Sequence, residues 1–491
     1  MYYAGIDCGT QGTKVLIYDP ARKVFVGEGY HGHELAANER GGREQDPAWW
    51  IAALDAALRQ ALAPLRPDER RKVAGMGVSG QQHGLVILDQ HKQVLRRAKL
   101  WNDTETADAA RRYIEAAGGP DAVLAAIGTA VPVGYTASKV LWLRDTERDL
   151  FDHMAFALNP KDYINFYLTG TIATDAGSAS GTGYFDVIHR VWSERMVSLI
   201  GDDFKRCLPP VLGDLEAAGS LRGEVAERFG LSESCLVAAG SGDNMMAAVG
   251  AGSVQNGIAT VTLGTSGVLS VFTDTPPVGC PGIVQIQNSM PSGWLPTVCS
   301  MNATAVTTAL QSLFGMDLRR VDAAMAAAPP CAQGVTMFPF FNGERAPALE
   351  SERGAVTGLA IQNMSPENLI RAGAEAVAYG LRWGRDLLAE RGAAFHSLRL
   401  VGGGSNSAPW RQIIADVFAA EVTGLRGREA GAFGGVLQAM ALCGEGDLPT
   451  LCGEHVQCDD TKRALPQASA VSAYEEGYTR YLQLRKKLYG V

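Results

Sequence analysis

The chain has 491 residues, of which 46% are hydrophobic and 20% are charged. Because this length exceeds what one hydrophobic core normally supports, two domains are expected, and the composition excludes a disordered or fibrous protein. The net charge of −8 is spread along the sequence and not gathered in a tail, which argues against binding to nucleic acid or acidic membranes. No apolar run approaches the roughly 18 residues of a membrane span.

The cysteines and the first residues indicate where the protein resides. Nine cysteines are scattered singly, and the chain opens with the strand-like segment MYYAGID instead of a basic and then apolar export signal. These features predict reduced thiols and a cytoplasmic location. Cys452, His455 and Cys458 have the spacing of metal ligands, but zinc prefers four ligands and no partner pair lies nearby in sequence, so a zinc site is disfavoured.

Strands alternate with helices in the first half of the chain. Asp46 and Pro47 have the residue types of an N-cap and a first helical position, which we interpret as a structural role. In chain order the predicted elements are two strands around a turn over 3–18, a strand over 24–30, a helix over 49–62, a strand over 73–79, helices over 137–143 and 160–168, and a small-residue loop over 175–183.

The second half repeats the order of strand, glycine and helix. The predicted elements are a strand, turn and helix over 237–250, two strands over 258–272, a helix over 366–390, a strand over 397–401, a helix over 410–419, and an amphipathic terminal helix over 473–488. The whole pattern is that of an α/β protein.

Two turns share the pattern G-T-x-G between apolar strands. They are Gly9-Thr10-Gln11-Gly12 and Gly264-Thr265-Ser266-Gly267. Each turn alone is more simply an ordinary hairpin, but the repeat indicates duplicated domains, which we place at 1–245 and 246–491. Glycine in such a turn lets backbone N–H groups and the threonine hydroxyl approach phosphate oxygens closely. The sequence therefore predicts that both turns bind one triphosphate.

Further nucleotide-binding candidates flank these turns. Asp7 precedes the first turn, where a carboxylate suits Mg²⁺. Lys14 follows it and is a candidate phosphate contact, although a lysine on a strand is more often only solvated. Gly402-Gly403-Gly404 follows a strand and precedes a helix, so it suits a flat or anionic group such as adenosine. The alternative is a tight connection with Asn406 or Ser407 as N-cap.

Asp243 is the candidate catalytic base. It lies in Gly-Ser-Gly-Asp-Asn at a predicted helix start, and a kinase needs an acid that orients the attacking hydroxyl and accepts its proton. The alternative is a structural N-cap. A helix N-terminus is expected to lower the pKa of the Asp243 carboxyl, but positioning matters more than basicity in a loose phosphoryl-transfer transition state.

Polar side chains near strand ends suit a ligand with many hydroxyl groups. They supply amide, imidazole, indole and carboxylate groups, which form the directional hydrogen bonds that a sugar needs. A buried structural histidine is the alternative for His83. The residues are Gln81, Gln82, His83, Trp101, Asn102 and Asp103.

Taken together, these motifs resemble the FGGY carbohydrate kinases. They are D-C-G-T-Q-G-T-K, R-E-Q-D-P-A-W-W, G-Q-Q-H-G, L-W-N-D, K-V-L-W-L, G-D-N, L-G-T-S-G, G-G-G-S-N and A-D-V-F, in the family's order from residue 3 to about 441. The resemblance implies two duplicated actin-like, ribonuclease-H-like (ASKHA) domains with an interdomain active-site cleft. It also implies ATP, Mg²⁺, a sugar substrate and transfer of the γ-phosphoryl group to a terminal hydroxyl. A homodimer is an expectation from the family alone.

The family's site residues match positions in this chain. Asp243 matches the catalytic aspartate and, with Asp7, is the expected metal site. Gln82 and His83 match sugar contacts. The expected nucleotide contacts are Gly9, Thr10, Gln11, Lys14, Gly264, Thr265, Gly402, Gly403, Gly404 and Asn406.

The substrate implied by the most similar members is D-xylulose. Those members generally carry Met where this chain has Gln82, so another ketopentose, a pentitol or glycerol stays open. Ser241 also replaces a usual glycine, which a turn should tolerate. The rival from another class is a nucleotide-dependent sugar-binding protein without catalysis, because actin-like clamps also serve regulatory proteins.

Overall fold

The computed structural model describes residues 1–341, 343–349, 353–427 and 429–491. These residues form two units, each of which contains three stretches of the chain. Unit 1 comprises Met1–Val254, Ile286–Leu295 and Glu429–Val456. Unit 2 comprises Gln255–Gln285, Pro296–Arg428 and Gln457–Val491. The chain therefore returns to unit 1 twice after leaving it.

The elements up to residue 254 are β1 (Tyr2–Cys8), β2 (Gly12–Asp19), β3 (Val24–Gly32), β4 (Ala36–Ala37), β5 (Arg43–Gln45), α1 (Pro47–Leu62), α2 (Pro67–Arg70), β6 (Val73–Gly80), β7 (Val86–Leu88), β8 (Ala98–Lys99), α3 (Ala107–Ala116), α4 (Pro120–Ile127), α5 (Thr136–Thr146), α6 (Arg148–His153), β9 (Phe156–Leu158), α7 (Pro160–Thr169), β10 (Thr174–Asp175), α8 (Ala176–Ser180), β11 (Phe185–Asp186), β12 (Val191–Trp192), α9 (Glu194–Ser198), β13 (Val211–Leu212), β14 (Ala217–Ser220), α10 (Gly223–Phe229), β15 (Leu236–Ala238), β16 (Ser241–Gly242) and α11 (Asp243–Gly250).

The later elements are β17 (Gly257–Leu263), β18 (Gly267–Val271), β19 (Val284–Ser289), β20 (Gly293–Ser300), α12 (Thr304–Phe314), α13 (Leu318–Ala327), β21 (Thr336–Phe338), β22 (Ala355–Thr357), α14 (Pro366–Ala389), β23 (Phe395–Val401), α15 (Ala408–Phe418), β24 (Glu421–Leu425), α16 (Ala430–Leu442), α17 (Leu448–His455), β25 (Cys458–Ala464) and α18 (Ala468–Tyr489). Short 3₁₀ helices cover Phe204–Cys207, Pro330–Gly334 and Gly403–Asn406.

The main sheets of the two units have the same topology. In unit 1 the order is β14-β15-β6-β1-β2-β3, with β15, β6 and β1 parallel to one another and the outer neighbours antiparallel. In unit 2 the order β25-β24-β23-β17-β18-β20 has the same directions at each step. The predicted α/β fold of two duplicated domains is therefore confirmed.

Helices cover both faces of the sheet in unit 1. Apolar residues of α1 pack on one face, and α11 and α16 pack on the other. The backbone of α16 lies directly on the strands, because a Cβ added at Gly5 of β1 would lie 1.8 Å from the carbonyl oxygen of Ala432. The same holds for Gly77 of β6 against Gly435, at 2.1 Å. Only glycine permits this contact, which carries the first turn of α16 toward the ends of β1 and β6.

Most predicted elements are present, with one error in the first half. The segment 175–183 was predicted to be a small-residue loop, and this prediction is wrong for its first part, because Ala176–Ser180 is helical. The carboxylate of Asp175 accepts hydrogen bonds from the N–H groups of Gly177 and Ser178 at 2.9 and 3.2 Å, so an N-cap outweighs low helix propensity. The predicted N-cap Asp46 with Pro47 at the start of α1 is confirmed.

Two global features follow from the described ranges. None of their helices combines the length and the apolar character needed to cross a bilayer. All nine cysteines lie within these ranges, and each has a free thiol.

Candidate active site

The first G-T-x-G turn closes the hairpin of β1 and β2. Cys8 pairs with Thr13, and the N–H of Gly9 donates to the carbonyl of Gly12 at 3.0 Å. A Cβ at Gly12 would lie 2.6 Å from the Tyr30 ring and from a backbone oxygen of β3, so a side chain there does not fit. The turn lines a cavity of about 880 Å³ in unit 1, together with Asp7, Lys14, His33, Trp101, Asn102 and Glu429.

Asp7 is the last residue but one of β1 and faces this cavity. Its Oδ1 accepts a hydrogen bond from the Ser79 hydroxyl at 2.7 Å. Burial raises the pKa of the Asp7 carboxyl, the Ser79 hydrogen bond opposes the shift, and the charge of Glu429 adds to it. A Cβ at Gly431 would lie 3.0 Å from Oδ2, so the first turn of α16 reaches this carboxylate.

Lys14 lies opposite Asp7 across the hairpin. Its ammonium contacts Glu429 at 2.8 Å and Glu28 at 3.9 Å. Nothing in the sequence signalled Glu429, because it lies 415 residues further along the chain and reaches this hairpin through the return of α16. The ammonium is therefore held at the cavity by a carboxylate, which leaves its predicted phosphate contact a prediction.

Asp243 is the first residue of α11. The N-cap is Gly242, so the alternative interpretation of Asp243 as a structural N-cap is wrong. Its Oδ1 accepts a hydrogen bond from the N–H of Asn244 at 2.8 Å. Burial, and then the charge of Asp7, raise the pKa of Asp243 to about 7. The expectation that the helix N-terminus lowers this pKa is therefore wrong, because burial and a second carboxylate outweigh the helix dipole.

A buried ionic cluster supports the segment that carries Asp243. The hydroxyl of Ser241 donates to Asp175 Oδ2 at 2.6 Å. Asp175 and Asp162 contact the ammonium of Lys161 at 2.9 and 2.7 Å, and the same ammonium donates to the carbonyl of Ala239 at 2.8 Å. Burial alone would lower the pKa of Lys161, but the two carboxylates outweigh it and raise the value. The turn before Asp243 is thus held by two hydrogen bonds to buried charged groups, one from Ser241 to Asp175 and one from Lys161 to Ala239.

Gln82 contacts the residues that follow Asp243. Only 4% of its surface is exposed, and its Oε1 accepts a hydrogen bond from the side-chain amide of Asn244 at 3.0 Å. Its Nε2 lies 3.9 Å from the sulfur of Met245. The amide that was expected to face a sugar therefore orients Asn244, and direct contact between Gln82 and a sugar stays a prediction.

His83 has an unusual backbone conformation. Its φ is +63°, in the left-handed region that non-glycine residues rarely adopt and that concentrates at functional sites. The ring stacks on Tyr135 with centroids 4.3 Å apart, and Nδ1 lies 2.9 Å from the carbonyl oxygen of Gly181. Because a carbonyl only accepts, Nδ1 donates a proton in this contact, which fixes the orientation of the ring.

The segment of Trp101 to Asp103 divides between the cavity and the core. Trp101 and Asn102 line the cavity, and 45% of the Trp101 surface is exposed. Asp103 is fully buried and contacts the ammonium of Lys99 at 3.0 Å. The inclusion of Asp103 among the residues for a sugar is therefore wrong, because its carboxylate belongs to an ion pair in the core.

In unit 2 the second G-T-x-G turn meets the glycine triplet. Leu263 pairs with Gly267 across the turn, and the N–H of Thr304 donates to the carbonyl of Gly264 at 2.9 Å, so α12 begins against it. A Cβ at Gly402, where φ is +85°, would lie 2.6 Å from the carbonyl oxygen of Leu263. Glycine is thus required for the triplet to pass the second turn at this distance.

The residues after the triplet begin α15. Ser407 is its N-cap, as one alternative proposed, and its hydroxyl accepts a hydrogen bond from the N–H of Trp410 at 3.3 Å. Asn406 instead donates to the carbonyl of Gly403 at 3.3 Å and accepts from the ammonium of Lys462 at 3.2 Å. Thr265, Gly403 and Asn406 therefore lie on neighbouring segments of unit 2, the second G-T-x-G turn and the connection that precedes α15.

The carboxylates of Asp7 and Asp243 in unit 1 are the candidate ligands for a metal ion. In the part of the chain that the structure describes, no group of three or more His, Cys, Asp or Glu side chains is arranged to hold a metal. The charge of Asp7 contributes to the raised pKa of Asp243, and a cation at these carboxylates would relieve that repulsion. Two carboxylates fit Mg²⁺, which usually binds one or two of them together with substrate phosphates and water. Cys452 and His455 instead contact Val249 and Tyr18.

Comparison with known proteins gives consistent matches. Residues 2–250 match the N-terminal domain of the FGGY family of carbohydrate kinases, and residues 259–443 match its C-terminal domain. The xylulose kinase of Haemophilus influenzae is 42% identical, over 99% of this chain and 100% of that protein. The crystal structure of a xyloylose kinase from Brucella ovis superposes with a TM-score of 0.92 at 31% identity, over 100% of both chains. That of the xylulose kinase from Rhodospirillum rubrum, at 24% identity, has a TM-score of 0.92 and shows the fold alone.

Proposed function

Because the chain belongs to the FGGY family of carbohydrate kinases, we propose that it transfers the γ-phosphoryl group of ATP to D-xylulose and forms D-xylulose 5-phosphate. The observation that carries this proposal is the placement of Asp243 at the start of α11, close enough to Asp7 for the two charges to interact, in a chain 42% identical to a xylulose kinase. A carboxylate at this position can orient the attacking hydroxyl and accept its proton.

The reaction needs a hydroxyl held in line with the γ-phosphorus. In our proposal the terminal hydroxyl of the sugar donates to Asp243, while the rest of the sugar is bound by His83, Trp101, Asn102 and the Asn244 amide. The hydroxyl oxygen then bonds to phosphorus as the bond from phosphorus to the bridging oxygen breaks. Asp243 receives the proton, and ADP carries away the electron pair.

The phosphate groups are assigned to the two G-T-x-G turns, where glycine lets phosphate oxygens approach the backbone closely. We propose that Gly9, Thr10 and Gln11 of the first turn and Gly264 and Thr265 of the second bind phosphate oxygens. In unit 2, Gly402, Gly403, Gly404 and Asn406 bind adenosine in this proposal. Asp7 and Asp243 would hold Mg²⁺, which when bound neutralises charge on the phosphates. Lys14, oriented by Glu429, would contribute the same kind of neutralisation.

The proposed substrate is tested with a panel of D-xylulose, D-ribulose, xylitol, aldopentoses and glycerol, each with MgATP, by following ADP release. We expect kcat/KM for D-xylulose to exceed the others by at least tenfold. A higher value for another compound would retain the kinase and replace its substrate. ATP turnover that none of these compounds stimulates would favour the nucleotide-dependent binding protein and contradict the proposal.

The role of Gln82 gives a separate prediction. In Gln82→Met the Asn244 amide loses its acceptor, and we expect kcat/KM for D-xylulose to fall about tenfold, the effect of one lost buried hydrogen bond. The exposed variant Gln90→Met is the control and should match the parent protein. If Gln82→Met instead phosphorylates D-xylulose better, then Gln82 selects a different sugar.

Three further expectations concern the location and the partners of the protein. A cytoplasmic location, a homodimer and the absence of nucleic-acid partners stay predictions from the sequence and the family.

A further inference from the structure

A buried glutamine, Gln45, contacts the first G-T-x-G turn on the side that faces the core. Gln45 is fully buried, and its Nε2 donates to the carbonyls of Thr10 and Glu34, both at 2.8 Å. Its Oε1 accepts from the indole N–H of Trp50 and from Nε2 of Gln81, both at 2.9 Å. All four hydrogen bonds that an amide side chain can form are therefore made. Gln45 directly precedes Asp46 and Pro47, for which the sequence indicated a helix start.

The same chain of hydrogen bonds continues to the sugar side of the cavity. The hydroxyl of Thr10 lies 3.3 Å from Oε1 of Gln81 and 2.9 Å from the indole nitrogen of Trp101. An indole N–H only donates, so the Thr10 oxygen accepts from Trp101 and its single proton points to Gln81. The hydroxyl of Thr10 is thus used within the protein, which leaves backbone N–H groups as the donors that the turn offers to phosphate.

The orientations of the Gln45 and Gln81 amides are fixed, because their partners are groups that only donate or only accept hydrogen bonds. Two backbone carbonyls and one indole fix the amide of Gln45, and Gln45 in turn fixes the amide of Gln81. Such a satisfied buried network holds one geometry, because any flipped amide would place two donors or two acceptors against each other. The hydrogen bonds that link Trp101, Thr10, Gln81 and Gln45 therefore have one assignment of donors and acceptors.

We propose that Gln45 and Trp101 are positioning residues for the first phosphate turn. Gln45 holds the Thr10 carbonyl from behind, and Trp101 holds the Thr10 hydroxyl from the cavity. Because the Trp101 face lines the proposed sugar site and 45% of its surface is exposed, a bound sugar restricts this indole and thereby stabilises its hydrogen bond to the Thr10 hydroxyl. Sugar and nucleotide binding are then coupled through Thr10 within unit 1. This inference rests on the proposed function for the phosphate role of the turn and for the sugar site beside Trp101.

The test uses Trp101→Phe, which keeps an aromatic face and removes the N–H. We expect the Kd of the magnesium complex of β,γ-imido ATP, measured by calorimetry, to rise about fivefold, as expected for one lost hydrogen bond. The Kd of D-xylulose for the nucleotide-free protein should change less than twofold, because the coupling is lost only when both ligands are bound, and kcat/KM for ATP should fall about fivefold. Sugar should tighten nucleotide binding in the parent protein and not in this variant. Trp192→Phe is the matched control, because its indole donates to the carbonyl of Pro209 away from the cavity.

A second variant tests the hydrogen bond from Gln45 to the carbonyl of Thr10. Gln45→Glu keeps the acceptor for Trp50 and Gln81 but places an oxygen against the carbonyls of Thr10 and Glu34. We expect nucleotide Kd to rise at least tenfold, and the near-UV circular dichroism of the folded variant should match that of the parent. Calorimetry reports this effect even if D-xylulose is not the substrate, so the two proposals fail separately. The inference is overturned if Trp101→Phe raises only the sugar KM, or if both variants bind nucleotide as the parent does.

Discussion

Replacing Asp243 by asparagine is expected to lower kcat for sugar phosphorylation about 10³-fold. The amide keeps the shape of the side chain but does not accept the proton of the hydroxyl, and general-base catalysis by a positioned side chain is worth about 10² to 10⁴ in rate. Steady-state kinetics at saturating MgATP and sugar measure the effect, because loss of kcat rather than a rise in KM distinguishes a role in the reaction from uniform binding.

The matched control for this change is Asp108→Asn. Asp108 also lies in the first turn of a helix, α3, and 88% of its side chain is exposed. The same substitution there should leave kcat within twofold. If Asp243→Asn retains more than a tenth of the parent kcat, Asp243 is not the base, and a nucleotide-dependent binding role gains support.

The second large effect concerns stability. In Lys161→Met the carboxylates of Asp162 and Asp175 stay in the core without their cation, and loss of one partner of a buried ion pair costs about 3–5 kcal/mol. We expect the Tm of unit 1, followed by scanning calorimetry, to fall by several degrees. Because Asp175 also binds Ser241, kcat should fall in the protein that remains folded.

An exposed lysine provides the comparison. Lys205 contacts Glu194 at 2.7 Å, but 63% and 82% of the two side chains are exposed. Lys205→Met makes the same chemical change at a surface pair, where solvent screens the charges, and should leave Tm nearly unchanged. Equal Tm values for the two variants would mean that the cluster around Lys161 does not stabilise the turn before Asp243.

The sequence predicted the core of the fold because its signals are local. Alternating apolar residues and the paired G-T-x-G turns predicted both hairpins and the duplication, and the two sheets have matching strand orders. The return of α16 to unit 1 has no local signal, since periodicity reports which residues are buried but not against which strand. Tertiary contacts reveal it, among them that of Gly5 with Ala432 and that of Gly77 with Gly435.

The site was predictable in its residue types but not in its contacts. Asp7, Asp243 and the first turn lie in unit 1 as their motifs indicated. The pKa of Asp243 was predicted with the wrong sign, because the sequence shows a helix start but not burial or the proximity of Asp7. Gln82 likewise was recognisable as an amide near a strand end, whereas its bond to Asn244 depends on a tertiary contact.

The most direct test of the central proposal is to identify the product. The protein is incubated with MgATP and D-xylulose labelled with ¹³C at C5, and the mixture is followed by ³¹P and ¹³C NMR. We predict a phosphomonoester signal coupled to C5, formed in equal amount to ADP. Inorganic phosphate formed while the sugar stays unmodified would contradict the account.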